Sequence, residues 1–130
     1  MSNRRLNPET VAPPNGLYSH AVEVPAGARL VFVSGQLGVD AQGNLAPDIE
    51  GQCDLAWQNM KAVLEAAGMG LDDLVKVNTY IVDEAHGDIV RAVRRRYLPG
   101  EQPASTAVAV RAMVRPEWLI EIEGIAARVD

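Results

Sequence analysis

Apolar positions recur along this chain with two different periods. From Ile49 to Ala67 they fall at alternating steps of four and three: Ile49, Cys53, Ala56, Met60, Val63 and Ala67, with Trp57 and Leu64 widening the stripe. Glu50, Asp54, Gln58, Lys61 and Glu65 occupy the other side. That spacing predicts an amphipathic helix. Gly68 follows it, where a helix C-terminus needs a residue that tolerates the left-handed conformation. Ala85 to Leu98 predicts a second helix, with Ile89, Val90, Val93 and Tyr97 inward, an arginine-rich outer side and Pro99-Gly100 as its stop.

The other period is two. Val75 to Val82 alternates, placing Val75, Val77, Thr79 and Ile81 on one face of a half-buried strand. Leu30-Val31-Phe32-Val33 is instead a continuous apolar run, the pattern of a strand buried on both faces; it stops at Ser34-Gly35-Gln36. A short strand is expected within Tyr18 to Val24. Two more, Thr106 to Arg111 and Trp118 to Arg128, close the chain and are free to form a hairpin. Residues 1 to 15 are polar and rich in Pro and Asn, and read as an arm before a single domain over 16–130. The order ββαβαββ predicts an α+β fold, a mixed sheet with two helices on one face. The opposite face, partly apolar and uncovered, predicts self-association.

Composition narrows the function classes. A length of 130 residues with 48% hydrophobic and 22% charged residues suits one globular domain. No apolar run approaches the roughly 18 residues that cross a bilayer, and no apolar segment follows Arg4-Arg5 as in a secretory signal, so no membrane partner is expected. The single cysteine, Cys53, fits a buried structural thiol in a reducing, cytoplasmic setting. With only His20 and His86 beside it, no metal centre is expected. A net charge of −5 speaks against a nucleic-acid partner. Arg94-Arg95-Arg96 does not reverse that, since consecutive helical residues point in three directions and read as a solvated face. Gly35-Gln36-Leu37-Gly38 lacks the Lys-Ser/Thr ending and the following helix of a phosphate loop.

Glu121 and Glu123 carry more chemistry. Two apart on a predicted strand, they face the same way, opposite Ile120 and Ile122. Carboxylates are depleted from strands. The pair marks either an exposed charged face or a cleft in which desolvation suits one carboxyl to proton transfer.

Around these residues the chain resembles a known family. Gly16-Leu17-Tyr18, Val33-Ser34-Gly35-Gln36, Asn59 through Gly68, Val75-Lys76-Val77 and Ile120 through Ala126 are similar, in that order, to the RidA (YjgF) family of enamine/imine deaminases. The resemblance implies a chorismate-mutase-like fold and a homotrimer with ligand clefts between subunits. It also implies cofactor-free hydrolysis of a small imino acid to the 2-oxo acid and ammonia. By position, the family's pocket tyrosine is Tyr18, its Ser-Gly pair is Ser34 and Gly35, and the glutamate that assists water is Glu121. The arginine that grips the substrate carboxylate has no counterpart: Ser105 stands at its place and Ala107 at that of a family cysteine. A family asparagine on the second helix falls on Arg91. Arg91, Ser105 and Thr106 are therefore the expected residues of a retuned ligand pocket. Arg91 would either pair with Glu121 or point to solvent beside Arg94 and Arg95. Two readings follow, a deaminase-like hydrolase with an altered imino or oxo acid substrate, and a trimer that binds a small metabolite without turnover. An RNA- or protein-binding module on the basic helix is a third.

Overall fold

A computed structural model describes residues 1–130. Its elements run β1 (Arg4–Leu6), β2 (Ala21–Glu23), β3 (Arg29–Gln36), α1 (Ile49–Ala66), β4 (Leu74–Ile81), α2 (Gly87–Tyr97), β5 (Ala104–Ala109) and β6 (Ile120–Arg128). The main sheet has the order β3-β6-β4-β5, with β6 antiparallel to both neighbours and β5 parallel to β4. Both helices pack on one face of this mixed sheet, giving the expected α+β architecture.

Local chemistry sets the ends of α1. The Asp48 side chain accepts the Gly51 N–H at 2.8 Å, neutralising one of the unpaired amides at the helix start. At the other end Gly68 adopts φ +72°, as its position predicted. There the Gly68 N–H reaches the Glu65 carbonyl at 3.0 Å and Met69 N–H the Leu64 carbonyl at 2.9 Å. Between these caps, Cys53, Ala56, Trp57, Met60 and Leu64 press into the core against Val77, Val93, Ile120 and Ile122. Trp57 stacks on Tyr97, ring centres 6.1 Å apart. Val63 and Ile89, expected inward, lie at the stripe margins and stay partly exposed. Gln52 joins the core instead. Its amide bonds the carbonyls of Ala46 and Glu117, and its carbonyl accepts the Leu119 N–H at 2.9 Å.

Three expectations need correction. The last two strands form no hairpin: β6 enters between β3 and β4, and β5 lies at the edge beside β4. The N-terminal segment is not wholly free of packed structure. Arg4–Leu6 pairs with Ala21–Glu23 in a small ribbon, and the Asn7 side chain accepts the His20 N–H at 2.8 Å. The Leu30–Val33 run is covered on one side only. Val33 is buried, but Leu30 and Phe32 are 53% and 71% exposed, because the face they share carries no helix. β3 also continues through Ser34-Gly35-Gln36, with an irregularity between Val33 and Gln36.

Candidate functional site

The open sheet face gathers the carboxylates. Alternation along β6 turns Ile120 and Ile122 to the helices and Glu121 and Glu123 outward, as the period of two predicted. Glu123 is fully engaged. It accepts the Tyr80 hydroxyl at 2.6 Å and the Asn78 amide at 3.1 Å, contacts that hold its carboxyl below the usual range. Bonding to that carboxylate raises the Tyr80 phenol. Glu121 makes no hydrogen bond or ion pair. Its side chain crosses Gly35 so closely that a Cβ there would fall 1.9 Å from Oε1 and 2.7 Å from Cδ. Gly35 of β3 is thus the bed on which Glu121 rests, while Ser34 lines a hollow with Glu123. Tyr80 and the Val110–Val114 segment line the space beside it.

A second group assembles on the helix side, at the β5 edge. Here Ser19 is the fastener. Its N–H bonds the Pro103 carbonyl at 3.0 Å, and its hydroxyl donates to the Gln102 carbonyl at 2.6 Å. This docks the Gly16–Tyr18 segment over α2 and leaves a cavity of about 290 Å³. Tyr18, Ser105 and Ala107 line it, with Arg91, Arg94 and Arg95 from α2. Tyr18 sits edge-on to His20 at 5.3 Å. Left-handed Asn15 and Gly16 turn the chain so that it passes close over the Arg95 guanidinium.

Arg94 dominates this cavity. Its Nη2 donates to the Ser105 hydroxyl at 2.7 Å and to Gln102 Oε1 at 3.1 Å. Gln102 is itself fixed by donating to the Leu98 carbonyl at 2.6 Å. Burial, helped by the neighbouring Arg95, pushes the Arg94 guanidinium down to about 10, still charged at neutral pH. Arg91 pairs with Asp88 and is otherwise exposed, so it lines the cavity without reaching Glu121. Arg91 and Arg95 are exposed, as one of the two expected outcomes had it, but Arg94 does not join them and turns inward. A signal for this was present. Arg94 lies four residues beyond Val90 and one beyond Val93, on the margin of the same helix face.

The expected site residues therefore fall into two groups. Tyr18, Arg91 and Ser105 meet at the cavity, while Gly35 and Glu121 meet on the open face and Ser34 lies there beside Glu123. Ser105 and Thr106, neighbours in sequence, are divided between the two sides by strand alternation. Thr106 lies opposite Asn78 and accepts Lys76 Nζ at 3.0 Å. Cys53 is fully buried, its thiol pushed up to about 12 by desolvation, which makes it a structural residue.

Comparison with known proteins supplies the lineage. The family model described as endoribonuclease L-PSP matches residues 9–128. A RutC family protein of Pyrococcus horikoshii is 35% identical over 120 residues, 91% of this chain and 92% of that one. A protein of Dermatophagoides farinae named 2-iminobutanoate/2-iminopropanoate deaminase is 34% identical over 128 residues, 96% of this chain and 97% of its own. Among solved structures, a Rid-family protein of Yersinia pestis superposes with a TM-score of 0.89 at 34% identity, covering 98% of this chain and 100% of its own. No helix is long and apolar enough to cross a membrane. With a family model spanning nearly all of its length, RutC family proteins and an imine deaminase among its sequence relatives and Rid proteins among its structural neighbours, this chain belongs to the RidA (YjgF) family.

Proposed function

We propose that the protein hydrolyses the C=N bond of a small imino acid, giving a 2-oxo acid and ammonia, with a substrate that differs from its relatives'. Glu121 carries this reading. It is a half-buried carboxylate with no partner, laid over Gly35, in a chain whose relatives include one named as an imine deaminase. In this scheme Glu121 accepts a proton from the water that attacks the imine carbon, and the nitrogen leaves as ammonia once protonated. Tyr18 and Ser105 belong to the cavity on the other side of the sheet, too far round for one copy to use both groups. A homotrimer that sets one copy's open face against the β5 edge of the next would bring Glu121 near that copy's cavity, and the exposed Phe32 and Leu30 support packing through the open face. The changed substrate follows from Ser105 and Ala107, which offer neither a cation nor a thiol at their positions. Those two residues also favour the second reading, a trimer that binds a small metabolite without turnover.

The test generates imines in place with an amino-acid oxidase and follows their disappearance. Wild type is expected to speed the decay over buffer, with 2-iminobutanoate a poor substrate. Glu121→Gln is expected to lower the rate by about 10²-fold or more, as removal of a general base does. Decay at the buffer rate for every imine tried would leave the binding reading in its place.

A further inference from the structure

The α2–β5 cavity gathers arginines with little counter-charge; Arg111 and Arg115 also lack an ion pair, but on the exposed surface. Arg4, Arg5, Arg29, Arg96 and Arg128 each find a carboxylate within 4.0 Å. Arg94 and Arg95 have none, and Arg91 has only Asp88, whose own side chain is 94% exposed. No Asp or Glu lines the cavity, although the chain as a whole carries a net charge of −5. Three guanidinium groups thus converge on one small space with the exposed Asp88 as their one paired carboxylate.

Arg94 is also preorganised. Gln102 and Ser105 are neutral acceptors; they take the N–H groups of Nε and Nη2 and fix the plane of the fork. The Ser105 hydroxyl donates its own O–H to the Pro103 carbonyl at 3.1 Å, so it presents only lone pairs to Arg94. Nη1 makes no hydrogen bond, leaving two donors for a ligand. The desolvation that weakens this guanidinium is relieved when an anion arrives, and the mutual repulsion of three cations is relieved most by an anion carrying two charges. A volume of about 290 Å³ is at the lower end for ligand pockets and suits a small metabolite. Leu17 and Ala107 supply apolar walls for its carbon skeleton.

We propose that this cavity is a receptor for a small dianion, with Arg94 as the fixed anchor for one charged group and Arg91 and Arg95 closing on the other. The receptor occupies the cavity assigned above to the imino acid, but it concerns binding alone and is tested without turnover. Its failure and that of the hydrolytic reading are separate events.

Calorimetric titrations of the full-length protein in low-chloride buffer compare succinate, inorganic phosphate and the monoanion butyrate. At least one of the two dianions is expected to bind tenfold or more tightly than butyrate. Succinate ahead of phosphate assigns the charges to two ends of a carbon chain; phosphate ahead assigns them to one centre. Arg94→Met is expected to abolish binding of all three. Arg95→Gln, a change at an exposed position that leaves the fold intact, is expected to shrink the dianion preference at least threefold while butyrate binding persists. Butyrate binding as tightly as both dianions overturns the proposal. So does undiminished dianion binding in Arg94→Met, or an unchanged preference in Arg95→Gln should Arg94→Met fail to fold.

Discussion

At the scale of single residues, two hydroxyls decide where charge sits. Ser105 is small enough to let the Arg94 head rest on its oxygen, and a longer side chain there would fill the space the guanidinium now holds. Tyr80 governs Glu123. Its 2.6 Å bond, with the Asn78 amide, holds that carboxyl below its unfolded value of about 4.3. A depressed carboxyl adds stability at every pH above the unfolded value and loses that contribution as pH falls through the folded one. The raised phenol behaves oppositely: its contribution is present below its unfolded value of about 10 and lost as pH rises through the folded one. Tyr80→Phe is therefore expected to return the Glu123 carboxyl toward its ordinary titration, read by carboxyl-carbon NMR. Its stability deficit against wild type, from urea melts, should be level near neutrality and shrink in acid. A deficit that persists unchanged in acid would mean that the ring contributes by packing alone. The outward turn of both glutamates was legible from alternation, whereas their difference in partners was not. It depends on Tyr80 and Asn78, more than 40 residues away in sequence, and a strand pattern does not name its neighbours.

At the scale of elements, close approaches at two glycines divide structure from site. A Cβ on Gly38 would fall 2.4 Å from Cα of Gln52, so the loop could not lie against α1 without moving the helix. The three atoms nearest a Cβ on Gly35 all belong to the side chain of Glu121, which can rotate away as the backbone and helix at Gly38 cannot. Gly38→Ala is expected to cost about 2–3 kcal/mol, the upper part of the usual overpacking range, and Gly35→Ala less than about 1 kcal/mol. Gly35→Ala should nonetheless displace the Glu121 carboxylate and lower imine hydrolysis as far as Glu121→Gln does. Thermal melts and the imine assay on the two variants check this; equal losses of stability would refute it. Helix α1 was readable over most of its length, since its stripe and its Gly68 cap are local. The hairpin expected of the last two strands failed for the opposite reason. Nothing within 104–128 says that β5 pairs in parallel with β4 while β6 crosses to lie between β3 and β4, because that choice is made by packing against α1 and α2. The docking of Gly16–Tyr18 through Ser19 is likewise non-local, so the cavity was invisible even though its arginines were in plain view.

At the scale of the whole molecule, the uncovered face is the feature that asks for other copies. Phe32, 71% exposed and outside the core, is the natural place to interrupt the proposed trimer. Burying such a ring is worth about 1.5–3 kcal/mol per copy, and a charge in its place opposes association further. Phe32→Asp is expected to give a monomer mass by light scattering at micromolar concentration, with an unchanged circular dichroism spectrum, where wild type gives three times that mass. A monomeric wild type, or a variant that stays trimeric, would remove this face from the assembly. The strand order has a further bearing on how the chain comes into being. β6 pairs Arg128 with Arg29 and Ala126 with Leu74, so the centre of the sheet is its last-made strand. During synthesis β3 and β4 must wait, unjoined, until residues 120–128 have left the ribosome, with Leu30–Val33 bare throughout. Contacts so distant in sequence make folding slow and leave aggregation-prone strands exposed meanwhile. The face through which the proposed trimer would pack is, in the nascent chain, the surface most in need of a chaperone.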